Sequence, residues 1–302
     1  MQGKTPQICG MRSRSFRTPL VLIVLLAAMG LPVTCRNTDA APNVGTRGKE
    51  MLQSHAATKE SIRSFECRVR IVAETRLPSA MSREYVGRHW QDFDKVRVDS
   101  GSSSQSDTSI LRDNVVDLFQ RILEGGATKT GASRRRHDWT ELGKCDASVG
   151  MLLRVNVPET SEYVPVDQLV ARASKCSVAE SGRLFQLRFD REPPRKNSWE
   201  VKVRFEPKAN DLVKSIEYRF TSADGKTVFR EYDVQQFAEV APSVHLPSRV
   251  IARSSIDGTD WTHQVAEFTE IKVNEGVVDR TFRLPLPNRV VMTDEIRRTY
   301  YW

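Results

Sequence analysis

Residues 244–273 read VHLPSRVIARSSI, then DG, then TDWTHQVAEFTEIKV. Both flanks are rich in β-branched and aromatic residues. The Asp257–Gly258 pair between them tolerates positive φ at both central positions. Together these predict a hairpin of strands Leu246–Ile256 and Trp261–Val273. The chain then reverses at Asn274–Gly276 and runs through Val277–Phe282 to close on Leu284-Pro285-Leu286-Pro287.

Working upstream, the same pattern recurs. Trp199, Val201, Val203 and Phe205 alternate with Glu200, Lys202, Arg204 and Glu206; Phe185, Leu187 and Phe189 alternate with Gln186, Arg188 and Asp190. Leu212, Ile216, Tyr218 and Phe220 face one way, and Asp224–Gly225 turns the chain into Thr227–Phe237. Clean alternation buries one face and wets the other, which is antiparallel behaviour. There is no βαβ rhythm and no glycine-rich phosphate loop, so a doubly wound nucleotide fold is not expected.

The first half reads less cleanly. Met51, Leu52, His55, Ala56, Lys59 and Ile62 form a helical stripe within Gly48–Ser64, with His55 bordering the core. Phe65, Cys67, Val69 and Ile71 then alternate with charged residues as a half-buried strand. After a turn at Leu77-Pro78-Ser79, Tyr85–Val98 is a long polar strand, broken near Asp92. Gly101–Asp107 reads as a flexible loop, Ile110–Phe119 as a strand that either continues or passes into a short helix over Val115–Leu123, and Gly125–Gly131 as another loop. The basic run Arg134-Arg135-Arg136-His137 is read as a solvated loop in preference to a phosphate or headgroup contact. Cys145–Leu153 and Pro165–Ala173 read as short helices, Pro165 suiting a first turn.

The fold class predicted is α+β: one curved antiparallel sheet, an incomplete β-barrel, wrapped around an N-terminal helix and short central helices. An apolar cavity remains wherever the helices fail to fill the curve. The expected organisation is a signal peptide over residues 1–40, a tether over 41–47, a single domain over 48–290 and a C-terminal tail over 291–302.

Arg12, Arg14 and Arg17 precede an apolar run from Leu20 to Met29, too short for the roughly 20 residues that span a bilayer, so export through a cleaved signal is expected. Cleavage near Ala40 is favoured over lipidation at Cys35. Residues 1–40 hold five basic side chains and one acidic; without them 41 basic face 37 acidic ones, an excess too small to argue for nucleic acid. Of the cysteines, Cys67, Cys145 and Cys176 follow the cleavage point; Cys67 reads as a buried hydrophobe, and a Cys145–Cys176 disulfide is the pairing left open. No CxxC, HExxH, EF-hand or GxSxG motif occurs, so no metal, cofactor or catalytic residue is assigned.

Two stretches resemble the LolA-like periplasmic lipoprotein-carrier superfamily. One is the helix-to-strand entry Met51-Leu52-Gln53-Ser54-His55 with Ile62-Arg63-Ser64-Phe65-Glu66-Cys67. The other is the exit Phe268, Ile271, Val273-Asn274, Gly276-Val277, Asp279, Phe282, Leu284-Pro285 and Pro287. The resemblance implies an open antiparallel barrel with a helical lid whose concave face receives acyl chains. On that basis the expected function is a non-enzymatic, exported lipid- or lipoprotein-binding carrier of the periplasm or cell envelope. Its partners would be acyl chains of lipids or lipoproteins, with peripheral membrane association and an envelope protein as further contacts. The apolar lining is expected from Phe65, Val69, Ile71, Trp199, Val201, Val203, Phe205, Ile216, Tyr218 and Phe220. The rival readings are a sensor or protein-interaction module on the same fold and, behind it, a hydrolase with a non-local triad. Phe282, Pro285 and Pro287 read as structural.

Overall fold

The computed structural model describes residues 44–75, 80–92, 95–102, 104–112, 115–136, 154–156, 163–190, 198–222, 225–284, 286–287, 290–297 and 299–301. The expected signal peptide, Cys35, the Leu77-Pro78-Ser79 turn and the Cys145–Leu153 helix lie outside these residues.

Strands appear in chain order as β1 (Ser64–Thr75), β2 (Met81–Asp92), β3 (Lys95–Gly101), β4 (Gln105–Arg112), β5 (Val115–Glu124), β6 (Ala127–Arg136), β7 (Arg154–Asn156), β8 (Tyr163–Pro165), β9 (Lys175–Val178), β10 (Leu184–Asp190), β11 (Ser198–Glu206), β12 (Leu212–Thr221), β13 (Thr227–Ala241), β14 (Val244–Ile256), β15 (Thr259–Val273), β16 (Met292–Asp294) and β17 (Thr299–Tyr301). The α-helices among the described residues are α1 (Gly45–Ser61) and α2 (Val166–Arg172). Fifteen strands form one open, curved sheet in the order β17-β16-β6-β5-β4-β3-β2-β1-β15-β14-β13-β12-β11-β10-β9, while β7 and β8 pair separately. Among the described residues every pairing in the large sheet is antiparallel except β6 with β16.

The β14–β15 hairpin turns as its sequence predicts: Asp257 and Gly258 have φ of 50° and 77°. Alternation then sets the faces. Register aligns Phe185 with Val203, Val203 with Ile216, Ile216 with Tyr232, and Tyr232 with Ala252 along one inner row. Helix α1 packs on this face. A Cβ on Gly48 would lie 3.3 Å from Val178 and 3.6 Å from Phe185, so the helix approaches β9 and β10 as closely as a glycine allows. The β11–β12 turn anchors the same helix: Ser54 donates to Asp211 Oδ2 at 2.5 Å and Thr58 to the Asn210 carbonyl at 2.7 Å. Asn274 ties the helix exit to β15, accepting from the Arg63 amide and donating to the Ser61 carbonyl, both at 2.8 Å.

Several expectations need correction. The helix begins at Gly45, inside the expected tether. Gly101–Asp107 is no loop: β3 runs to Gly101 and β4 starts at Gln105. Val115–Leu123 is strand throughout. Gly125 and Gly126, with φ of 59° and 81°, make a two-residue turn, so the expected loop to Gly131 is mostly strand β6. That strand also contains Arg134–Arg136, which therefore do not form a solvated loop. The C-terminal stretch is not a free tail, because Met292–Asp294 joins the sheet beside Ala132–Arg134.

The stretch before β16 covers the outer face of β3–β6. Phe282 is 1% exposed, Lys95 lies over its ring, and Arg97 donates to the Thr281 carbonyl at 2.7 Å. Leu284 and Val290 pack on Phe119, Ala132 and Met292. Both faces of β4 are consequently buried from Asp107 to Leu111.

Asp117 is buried on this outer face. It accepts from Arg134 Nε at 2.6 Å and Nη2 at 2.9 Å, and from Arg112 Nη2 at 3.2 Å. Asp117→Asn is expected to cost about 1–2 kcal/mol in urea unfolding, since both arginines remain partly solvated. A loss below a few tenths would mean that water already screens the cluster.

Candidate functional site

All ten residues nominated for the lining fall on the inner face. The register that places Val203 beside Ile216 and Val201 beside Tyr218 also runs from β14 through β15 to β1, where Val69 lies opposite Phe268 and Ile71 opposite Ala266. Nine of the ten are buried and Phe220 is half-buried.

They do not, however, gather in one place. Phe65, Val69 and Ile71 belong to a cluster with Val96, Leu111, Leu246, Val250 and Phe268. The β11 and β12 residues belong to another, closed by Met51 and Leu52 of α1 and by Leu169 and Val170 of α2. Within that second cluster Trp199 stacks on Phe220 at 4.4 Å, and Phe205 meets the ring of His55 at 5.2 Å and that of Phe185 at 5.5 Å. Val201 and Val203 are fully enclosed.

His55 borders the core as its place on the stripe predicts. Its Nδ1 sits 3.0 Å from the Asp211 carbonyl and so carries the proton it donates; burial lowers its pKa below the ordinary histidine value.

Over β2–β4, within the first cluster, the inner face carries polar residues, which sequence reasoning missed. Cys67, His89, Val98 and Ser109 form one row across β1–β4, and Val69, Gly87, Ser100 and Asp107 form the next. On the other side, Arg230 faces Tyr218 and Ser254, both within the sheet, and Ser254 hydrogen-bonds Thr262 at 2.7 Å. The signal in the sequence was the β2 alternation Tyr85, Gly87, His89, Gln91, which marks a strand read only as polar although His89 and Gln91 are buried.

His89 is fully buried between Phe65, 4.7 Å away, and Phe268, 6.4 Å away, and neither ring nitrogen makes a hydrogen bond. Burial alone depresses its pKa to about 3. Ser100 Oγ is likewise buried without a partner, and Asp107 accepts both its Gln105 bonds at 2.9 Å. A histidine, a hydroxyl and a carboxylate thus share adjacent strands without a His–Ser or His–Asp bond. An imidazole with so low a pKa is a weak base at neutral pH.

Cys67 is a buried hydrophobe, its thiol pushed up to about 12 by burial. Cys176 is a free, half-buried thiol; its expected partner Cys145 lies outside the described residues.

The sheet rim carries a notch. Strand β2 extends to Met81 and β5 to Glu124, but the β3–β4 hairpin between them stops where Gly101 meets Val86 and Gln105 meets Ile122. The resulting cavity, about 840 Å³, is lined by Ser82, Arg83, Glu84, Val86, Gly101, Ser102, Ser104, Gln105 and Ile122. None of the ten nominated residues lines it. Met81, Val86, Ile122 and Leu123 are exposed at this rim.

No family model and no curated protein sequence matches the chain. Solved structures similar to it include a LolA superfamily protein from Nitrosomonas europaea, at 12% identity and a TM-score of 0.43, covering 80% of this chain and 99% of that one. A DUF1329 family protein from Desulfovibrio piger is similar at 7% identity and a TM-score of 0.45, covering 79% and 98%. An outer membrane lipoprotein-sorting protein domain from Vibrio parahaemolyticus is similar at 9% identity and a TM-score of 0.43, covering 79% and 97%.

Proposed function

We propose that this protein is an exported carrier that holds acyl chains of lipids or lipoproteins against the inner face of its sheet. The observation that carries this reading is that both apolar clusters lie on the same inner face of one sheet. Register places apolar side chains from β9 to β13, and from β15 and β1, on one surface, and among the described residues helices α1 and α2 pack at its β9–β13 end. Acyl chains enter between that surface and the helices, each buried CH₂ contributing roughly 0.8 kcal/mol. Localisation to the periplasm or cell envelope follows from the sequence signal and not from the sheet.

Native mass spectrometry of the mature protein, purified from the envelope without detergent, tests the proposal. A bound fatty acid, phospholipid or lipopeptide is expected. Phe220→Glu places a charge at the half-buried margin beside Trp199 and is expected to abolish the added mass with the circular dichroism spectrum intact. A charge at Val203, which is fully enclosed, would instead unfold the core. A protein that is empty and also takes up no acyl ligand on titration would sink the carrier. The exposed apolar residues of the notched rim would then favour the interaction-module reading.

A further inference from the structure

The notch in the rim leaves a length of strand open. From Met81 to Glu84, β2 is paired on one side with Val72–Thr75 of β1. On its other side the ladder with β3 ends where Val86 meets Gly101, so among the described residues Met81–Glu84 have no second strand beside them. Across the notch the first overhanging amide of β5 is already taken, Leu123 donating to the Ser104 carbonyl at 2.8 Å. The Ser102 amide donates to the Gln105 carbonyl at 2.7 Å and closes the floor. The open edge is therefore that of β2.

The dimensions select the occupant. At the floor β2 and β5 stand three strand spacings apart, roughly 14 Å, which leaves the width of two strands. A second folded sheet laid against β2 would continue in the same plane and run into the β5–β6 ribbon. A single extended chain does not. The cavity, about 840 Å³, is of ligand size, and the open edge is roughly 14 Å long. A row of main-chain N–H and C=O groups at strand spacing is matched by another main chain, not by a small solute or a lipid headgroup.

Side chains add a bias. Glu84 is held by Arg70 at 2.7 Å, whereas Arg83 has no ion pair among the described residues. Val86 and Ile122 are exposed on the two walls. We propose that the notch binds an extended peptide segment of a partner protein, which adds as a strand to the Met81–Glu84 edge of β2. It sets an acidic side chain beside Arg83 and apolar ones against Val86 and Ile122. The site uses a sheet edge and none of the ten lining residues, so it stands independently of the carrier reading.

The test uses the full mature chain and two acetylated six-residue peptides, one alternating valine with glutamate and one alternating valine with lysine. Amide hydrogen exchange of β2 is the readout. In the free protein the alternate amides of Met81–Glu84 that face the notch are expected to exchange at least roughly a hundredfold faster than those that face β1. The glutamate peptide is expected to slow them saturably, and the lysine peptide to bind at least roughly tenfold more weakly. Methylating alternate peptide nitrogens separates main-chain pairing from side-chain contact. One set of positions is expected to abolish binding and the other to leave it within about twofold, because only one set faces β2. Arg83→Glu, a change at an exposed side chain, is expected to reverse the preference between the two peptides. Binding that tolerates both methylated sets, or no slowing with either peptide, overturns the proposal; the charges of Arg83 and Glu84 then serve only to keep the edge unpaired. Protection that grows with protein concentration alone gives the edge to a second copy and equally overturns it.

Discussion

Gly87→Ala is expected to destabilise the protein by at least about 3 kcal/mol, seen as a large fall in the urea midpoint at unchanged slope. The reason is contact and not backbone conformation. A Cβ on Gly87 would lie 1.6 Å from the Asp99 carbonyl oxygen, 2.6 Å from its carbon and 2.7 Å from Ser100 Cα. These are main-chain atoms of β3, so no rotamer change relieves them. Strand β3 must move away, and the β2–β3 ladder from Val86 to Asp92 goes with it. The neighbouring strands offer no slack, because β3 also holds β4 and carries Val96 and Val98 in the first core cluster. Gly131→Ala is the control: nothing lies within 4 Å of its added Cβ, and a gain of up to about 1 kcal/mol is expected there from the lower entropy of the unfolded chain. A Gly87→Ala protein within 1 kcal/mol of the unsubstituted one would show that β3 yields easily.

That close approach lies where the sequence was hardest to read. From Leu184 onward each strand buries one face against helices or the opposing part of the curve, so apolar and polar residues alternate and turns fall at Asp257–Gly258 and Asn274–Gly276. In β2–β4 two effects erase that alternation. The inner face is polar, with Gly87, His89, Gln91 and Ser100 where apolar residues would advertise burial. The outer face of β4 is covered by a segment more than 160 residues away in sequence, so Thr108 and Ile110 are buried opposite Asp107, Ser109 and Leu111. The β5–β6 ribbon fails for the opposite reason: from Arg121 to Gly131 every residue is exposed, and no periodicity marks a strand that buries nothing. Strand β16 has three residues and pairs in parallel with a distant edge, which local pattern cannot foretell. The candidate lining was legible as a face because register is set by alternation. Its division into two clusters was not, because where the helices pack depends on which strands meet.

The polar row has its own consequence, a steep loss of stability in acid. His89 has a folded-state pKa of about 3 against 6.5 for the ordinary group. Between those values the unfolded chain binds a proton that the native protein refuses. Stability therefore falls as pH drops below about 6.5, by about 1.4 kcal/mol per unit, and levels off only near pH 3. His55 adds to the same slope, its pKa being lowered chiefly by burial. Carboxylates also titrate in acid, so the test is a difference. His89→Leu removes the titrating group and two unsatisfied nitrogens while filling the space between Phe65 and Phe268. At pH 7.5 the variant is expected to match the parent or exceed it by about 1 kcal/mol, because an unpartnered polar group gives way to an apolar one of similar size. At pH 4.5 its advantage should widen by about 3 kcal/mol. Parallel stability curves for the two proteins from pH 7.5 to 4.5 would mean that His89 takes up its proton in the folded state, and hence that something polar reaches it in solution. With both ring nitrogens buried and the rings of Phe65 and Phe268 alongside, parallel curves would require the inner face to open at acid pH.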